Sequence, residues 1–257
     1  MRIDQVLYMV RLELDAARVA RETINRNLSP RNDDLGYLVH CCLADLFGTG
    51  SVQPFRVLSE RSRWLVVLGY TKTRSEELRQ HAADFADPGH YAACDWDGLA
   101  VKPLPTEWQT GRRLLFNVRV CPVVRLSSDV EVHGKNGETR GYRAGSEIDA
   151  WEHFRFFAAK NQTDISRDDA YKNWLSERLG NAASISAANI RSFRRLRLTR
   201  RDHGRPRKAG ILERPDVILQ GDITVGDATA FETLLGSGVG RHRAFGFGML
   251  LLRPPEG

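Results

Sequence analysis

Two clusters of side chains in this chain have the types and spacing that chemistry on a phosphate would use. Between Gly236 and Gly248, five glycines (Gly236, Gly238, Gly240, Gly246 and Gly248) surround the tripeptide Arg241-His242-Arg243. Glycines permit positive φ and close approach of a ligand, and successive amide groups in such a turn form an anion-binding concavity. Two guanidiniums inside it point to phosphate as the anion. The second cluster is Tyr37 and His40. They stand three residues apart in the apolar stretch Leu35–Phe47, which places both on one edge of a helix. A histidine titrates near neutrality and serves as acid or base. A neighbouring tyrosine can orient a phosphate or donate a hydrogen bond. Residue types alone fit a structural histidine as well, and at this level both readings stand.

The elements that must position these groups follow from periodicity. The segment 35–47 carries an apolar stripe of Leu35, Leu38, Val39, Cys42, Leu43 and Leu46, closed by Gly48 and Gly50, which predicts a helix. Before it, residues 3–13 read as a strand and 14–34 as a polar connection rich in arginine (Arg18, Arg21, Arg26, Arg31). Strands at about 55–59 and 64–68 and a helix at 75–85 complete a β-α-β-β-α set. Proline and glycine at Pro88, Gly89, Pro103 and Pro105 mark a linker. A long strand at about 112–126 opens the second half, followed by a hairpin tip at His133–Gly137 and helices at about 148–160 and 168–179. A further helix is predicted at 186–200, where Ile190, Phe193 and Leu196 recur at helical spacing. The chain closes as strand, short helix, glycine-rich loop, strand. A dinucleotide-binding glycine motif instead follows a strand and opens a helix, so that reading fails. The fold class is α+β: two tandem β-α-β-β-α-β units, residues 1–100 and 101–257, with an arginine-rich helical insertion at about 184–210.

Charge supports a polyanionic partner. The 257 residues carry a formal net charge of +6, with an isoelectric point near 9.3. The excess concentrates in one run holding Arg191, Arg194, Arg195, Arg197, Arg200 and Arg201, with Arg205 and Arg207 beyond. Such a run repels itself unless a polyanion such as RNA neutralises it, and it reads equally as a basic loop that orders on binding. The four cysteines, Cys41, Cys42, Cys94 and Cys121, make no CxxC pair and no zinc-spaced cluster, which implies a reducing, cytoplasmic setting and no metal site. No stretch approaches the length of a membrane span, and no nucleophile elbow signals a serine hydrolase.

Several segments resemble one family. The glycine-rich loop, with Gly238-Val-Gly240 and Ala244-Phe-Gly-Phe-Gly-Met-Leu250, resembles the C-terminal loop of the repeat-associated mysterious proteins of CRISPR systems. Within them, Tyr37-Leu-Val-His40 with Cys-Cys-Leu-Ala-Asp-Leu-Phe47 is similar to the first helix of CasE, the repeat-cleaving subunit of Cascade. The segments Arg112–Pro122 and Trp174–Ala183 resemble other CasE stretches. The arginine run is an insertion relative to compact CasE members and resembles the arginine-rich helical finger of type IV processing subunits.

The resemblance implies tandem ferredoxin-like domains and a metal-independent, cofactor-free endoribonuclease. It would cleave CRISPR repeat hairpins and remain bound as a subunit of the effector complex. It implies a catalytic pair of Tyr37 and His40, with Arg241, His242, Arg243, Gly238, Gly240 and the arginine run binding RNA. Two alternatives remain at this level: a non-catalytic RNA-binding subunit of the same fold, and a general nucleic-acid-binding protein. They are separated by whether His40 and Tyr37 face the same groove as the glycine-rich loop.

Overall fold

The computed structural model describes residues 6–25, 35–58, 63–133, 139–157, 165–200 and 210–255. The first half runs β1 (Tyr8–Asp15), α1 (Ala16–Asn25), α2 (Leu35–Phe47), β2 (Phe55–Val57), β3 (Trp64–Thr71), α3 (Ser75–Phe85), α4 (Pro88–Tyr91) and β4 (Ala100–Pro103). The second half opens with β5 (Arg113–Val120), β6 (Val123–Arg125), β7 (Val130–His133), β8 (Thr139–Tyr142) and β9 (Glu147–Asp149). Then follow α5 (Ala150–Phe157), α6 (Arg167–Leu179), β10 (Ala183–Arg200), β11 (Gly210–Val225), α7 (Ala228–Ser237), a 3-10 turn at Arg243–Phe245 and β12 (Leu250–Arg253).

Each half builds a four-stranded antiparallel sheet, in the order β2-β3-β1-β4 and β10-β11-β5-β12. Counted within each half, both sheets read second-third-first-fourth. The halves are therefore tandem ferredoxin-like units, as the element order predicts. Alternation explains the first sheet: Val10, Leu12 and Leu14 of β1 are fully buried against the helices, while Arg11 faces out. Helix α2 occupies the residues that its stripe predicts and buries Val39, Cys42 and Leu46 in that core. The second core gathers Trp174, Tyr171, Phe231, Val118 and Leu219, and it takes in Leu7 and Tyr70 from the first half. The Tyr70 hydroxyl donates to the Leu250 carbonyl at 2.7 Å, so β12 is tied to β3 across the two units.

Two expectations are revised. The connection after β1 contains a helix, α1, whose N-terminus is capped by the Asp15 carboxylate accepting from Ala17 and Arg18 amides at 3.0 and 3.1 Å. Its Arg18 and Arg21 are exposed, while Arg26 and Arg31 lie outside the described residues. The hairpin tip at 134–137 also lies outside them, between the paired strands β7 and β8.

The second revision concerns the arginine-rich segment. It is not a helix: residues 183–200 form β10, paired along its length with β11. Tertiary pairing overrides the weak helical spacing of Ile190, Phe193 and Leu196. The partner strand supplies the counter-charges, because Asp216 stands opposite Arg194 and Glu213 opposite Arg197. A strand also sends successive side chains to opposite faces, which spreads the arginines over two surfaces. Strand β5 covers only Val217–Thr224 of β11. Residues 194–200 and 210–216 therefore continue beyond the sheet as a two-stranded ribbon about 20 Å long. Arg201 lies outside the described residues, as does everything to 209.

Candidate RNA-processing site

Helix α2 begins against the glycine-rich loop. The Tyr37 ring stacks on Phe245 of the 3-10 turn, with centroids 5.6 Å apart and planes at 28°. The His40 ring sits 6.1 Å from that of Tyr37, and the His242 ring meets Phe245 edge-on at 6.0 Å. The two predicted clusters, far apart in sequence, thus meet across one short aromatic path. His40 is partly buried, and desolvation lowers its pKa below the ordinary 6.5. The neutral imidazole, the form that accepts a proton, is therefore the dominant species at pH 7.

The loop is held from below. Gly238 and Gly240 adopt φ of 77° and 76°, and a Cβ at either would come within 2.9 Å of Pro54 or Trp174. His242 is the only non-glycine residue with positive φ among the described residues, at 61°. The amides of Gly238, Val239, Phe245, Gly246 and Gly248 donate to backbone carbonyls. Positive charge at the loop accordingly resides in its side chains as well as in its remaining amides.

Those side chains are organised by a residue without a sequence signal, Glu147 of β9. Its Oε1 accepts from Arg241 Nε at 2.6 Å. Its Oε2 bonds His242 Nε2 at 2.8 Å and accepts from Arg214 Nε at 3.2 Å. Burial raises the Glu147 pKa, but the His242 and Arg241 hydrogen bonds outweigh it and hold the carboxyl down at about 2. One carboxylate thus serves two guanidiniums and an imidazole, and half of the Arg241 side-chain surface remains exposed. Arg243 turns away and donates to the Ser237 carbonyl.

A second buried carboxylate, Asp216 of β11, takes Arg119 in a two-pronged pair at 2.8 and 2.8 Å, and Arg194 Nε at 2.6 Å. Arg119 in turn accepts the Gly248 amide on its carbonyl at 2.8 Å and lies over the Phe247 ring at 4.7 Å. The loop therefore rests on an ion triad that also fixes the base of the ribbon. A charge immediately before an apolar run, Asp216 ahead of Val217-Ile-Leu219, is the signal that could have revealed it.

The arginines of β10 differ in their partners. Arg195 reaches Glu152 of α5 at 3.5 Å and Arg197 reaches Glu213 at 3.3 Å, while Arg191 is exposed at a register shift. Arg200 lies in the strand at the far end of the ribbon.

A family profile described as "CRISPR associated protein" matches residues 7–254, nearly the whole chain. The chain belongs to the CRISPR associated protein family. Solved structures share the fold of this family member. The CRISPR endoribonuclease Cse3 bound to a 19-nucleotide RNA is 19% identical, with 97% of this chain and 100% of that one aligned at a TM-score of 0.62. The CRISPR-associated protein Cas6e from Escherichia coli is 20% identical over 96% of this chain and 99% of that one, at 0.59. Thermus thermophilus Cse3 on an RNA representing a pre-cleavage complex is 16% identical over 97% of this chain and 100% of that one, at 0.56. No curated protein sequence matches the chain.

Proposed function

We propose that this protein is a metal-independent endoribonuclease that cleaves CRISPR repeat hairpins in precursor RNA and then stays on the product as an effector-complex subunit. The observation that carries the reading is the stack of Tyr37 on Phe245, which sets a base-competent histidine and a cationic, glycine-rich loop beside one another. Cse3 was solved on RNA, and a chain of the same fold forms part of an RNA-guided surveillance complex, at 13% identity and a TM-score of 0.55 over 95% of this chain and 98% of that one.

The chemistry needs a base, an acid and cations, all of which side chains can supply. His40 takes the proton of the 2′-hydroxyl as that oxygen attacks the adjacent phosphorus. The P–O5′ bond breaks, the 5′-oxygen takes a proton from water and leaves as a hydroxyl, the upstream piece keeps a 2′,3′-cyclic phosphate, and His40 returns its proton to the solvent. Tyr37 orients the phosphate, Arg241 and His242 stabilise its growing negative charge, and Arg243, turned to the Ser237 carbonyl, holds the loop. The β10 arginines Arg191, Arg194, Arg195, Arg197 and Arg200 lie along the hairpin stem, and Arg201 continues their run in sequence.

The test is cleavage of the repeat hairpin in EDTA by wild type and His40→Ala, with product ends resolved. Cleavage that survives EDTA and falls by at least a hundredfold in the variant, with RNA affinity kept, is the expected result. Equal rates in both proteins would remove His40 from the mechanism. A wild type that binds but never cuts would make the protein an RNA-binding subunit.

A further inference from the structure

The far end of the first unit carries a surface that RNA chemistry does not explain. Between residues 75 and 99 stand six acidic residues, Glu76, Glu77, Asp84, Asp87, Asp95 and Asp97, against one arginine, Arg79. This segment is thus acidic in a chain whose net charge is +6. The same segment displays aromatic rings. Phe85 is 73% exposed and Tyr91 38%. Tyr91 stacks on Trp96 at 4.8 Å, and Trp96 meets Phe47 edge-on at 6.2 Å. Pro88 and Ala92, which fall between these rings in sequence, are exposed, as are Asp84 and Asp97.

The location separates this patch from the site above. Phe47 ends the helix whose start touches the glycine-rich loop, about 16 Å away along the axis. The patch is also rigidly mounted. His90 Nδ1 and the Asp87 amide both bond the Asp45 carboxylate of α2, at 2.9 and 3.0 Å, and His81 Nδ1 bonds the Leu46 carbonyl at 3.1 Å. An exposed apolar surface with a polar margin is the form of a protein docking site. Its exposed carboxylates, Asp84 and Asp97, complement a basic segment.

We infer that the Phe85–Tyr91–Trp96 surface docks a basic, partly apolar segment of a protein partner, leaving the RNA site open. The inference rests on the proposed role as a subunit retained in a ribonucleoprotein. The test co-expresses the full chain with the other effector-complex subunits and a repeat-spacer precursor RNA, which serve as the probe. It compares wild type with Phe85→Ser/Asp97→Lys and with Asp97→Lys alone. The double variant is expected to cleave the repeat hairpin at the wild-type rate and to fall at least tenfold in recovery with the complex. Asp97→Lys, at an exposed loop position, is expected to fall severalfold with an unchanged melting temperature. Recovery equal to wild type in both variants overturns the inference. So does weaker hairpin binding by Asp97→Lys, which would make the patch an RNA contact. A wild-type dimer that the variants dissolve would make the occupant a second copy of this chain and overturn it as well. Loss of cleavage in the wild type would instead sink the nuclease reading, while the recovery assay still reads the docking surface.

Discussion

Gly36 offers a sharp test of how the site is assembled. A Cβ built on it lies within 2.6 Å of the Phe245 carbonyl carbon, 3.0 Å of its Cα, and closer still to its oxygen. These are backbone atoms, so no side-chain rotation relieves the clash. Gly36→Ala must push α2 away from the 3-10 turn by about 1 Å, because ordinary contacts need at least about 3.4 Å. Elsewhere in a helix the same change is favourable by up to about 1 kcal/mol, while forced overpacking costs about 1–3 kcal/mol. Net destabilisation is therefore about 0–3 kcal/mol, and the protein stays folded. A displacement of about 1 Å between reacting groups can cost on the order of a hundredfold in rate. Single-turnover cleavage of the repeat hairpin, with affinity and melting temperature measured in parallel, separates the two effects. The expected outcome is a fall of about a hundredfold in rate with near-normal binding. A variant that cuts at the wild-type rate would show that Tyr37 and His40 need not abut the loop.

Other expectations follow from the charges. Asp216→Ala removes the carboxylate that two arginines share in a buried setting; a loss of about 3–5 kcal/mol should lower the melting temperature by roughly 6–20 °C, and a drop under about 3 °C would contradict the triad's role. Because burial lowers the His40 pKa, the acid limb of the cleavage-pH profile should have its midpoint below 6.5 and vanish in His40→Ala. By the same sign, the unfolded chain binds that proton more readily, so this residue's contribution to stability falls as pH drops through 6.5. Glu147→Gln frees Arg241, His242 and Arg214 from a shared negative charge; hairpin affinity should rise while single-turnover cleavage falls on the order of tenfold, about 1.4 kcal/mol. Replacing exposed Arg191 and Arg195 with alanine should reduce the slope of log affinity against log salt by about 1–2, measured by filter binding.

The sequence exposes the parts of this structure that depend on local pattern. Helix α2 has an unbroken stripe and closing glycines, and α3 begins and ends where its pattern does. The glycine-rich loop is legible because glycine and arginine together have few other uses. What escaped is what arises only between segments. The arginine run looks helical until Glu213 and Asp216 are seen across from it, for neither charge has meaning until β11 pairs with β10. Glu147 lies in a three-residue strand with no periodicity, and its importance comes entirely from Arg241, His242 and Arg214 converging on it. The halves of the site stand at residues 37–40 and 241–248, and the contact between them is likewise a product of tertiary packing.

That separation has a consequence for synthesis. The first unit is complete near residue 103 and can fold while the ribosome is still translating the rest. Yet the loop that receives the Tyr37 ring comes from residues 241–248, and β12, which anchors it beside β5, follows it in the chain. On the proposed mechanism, a nascent chain carries its base long before it can grip a phosphate. The order of translation then keeps the proposed cutting site silent while the chain hangs beside messenger RNA.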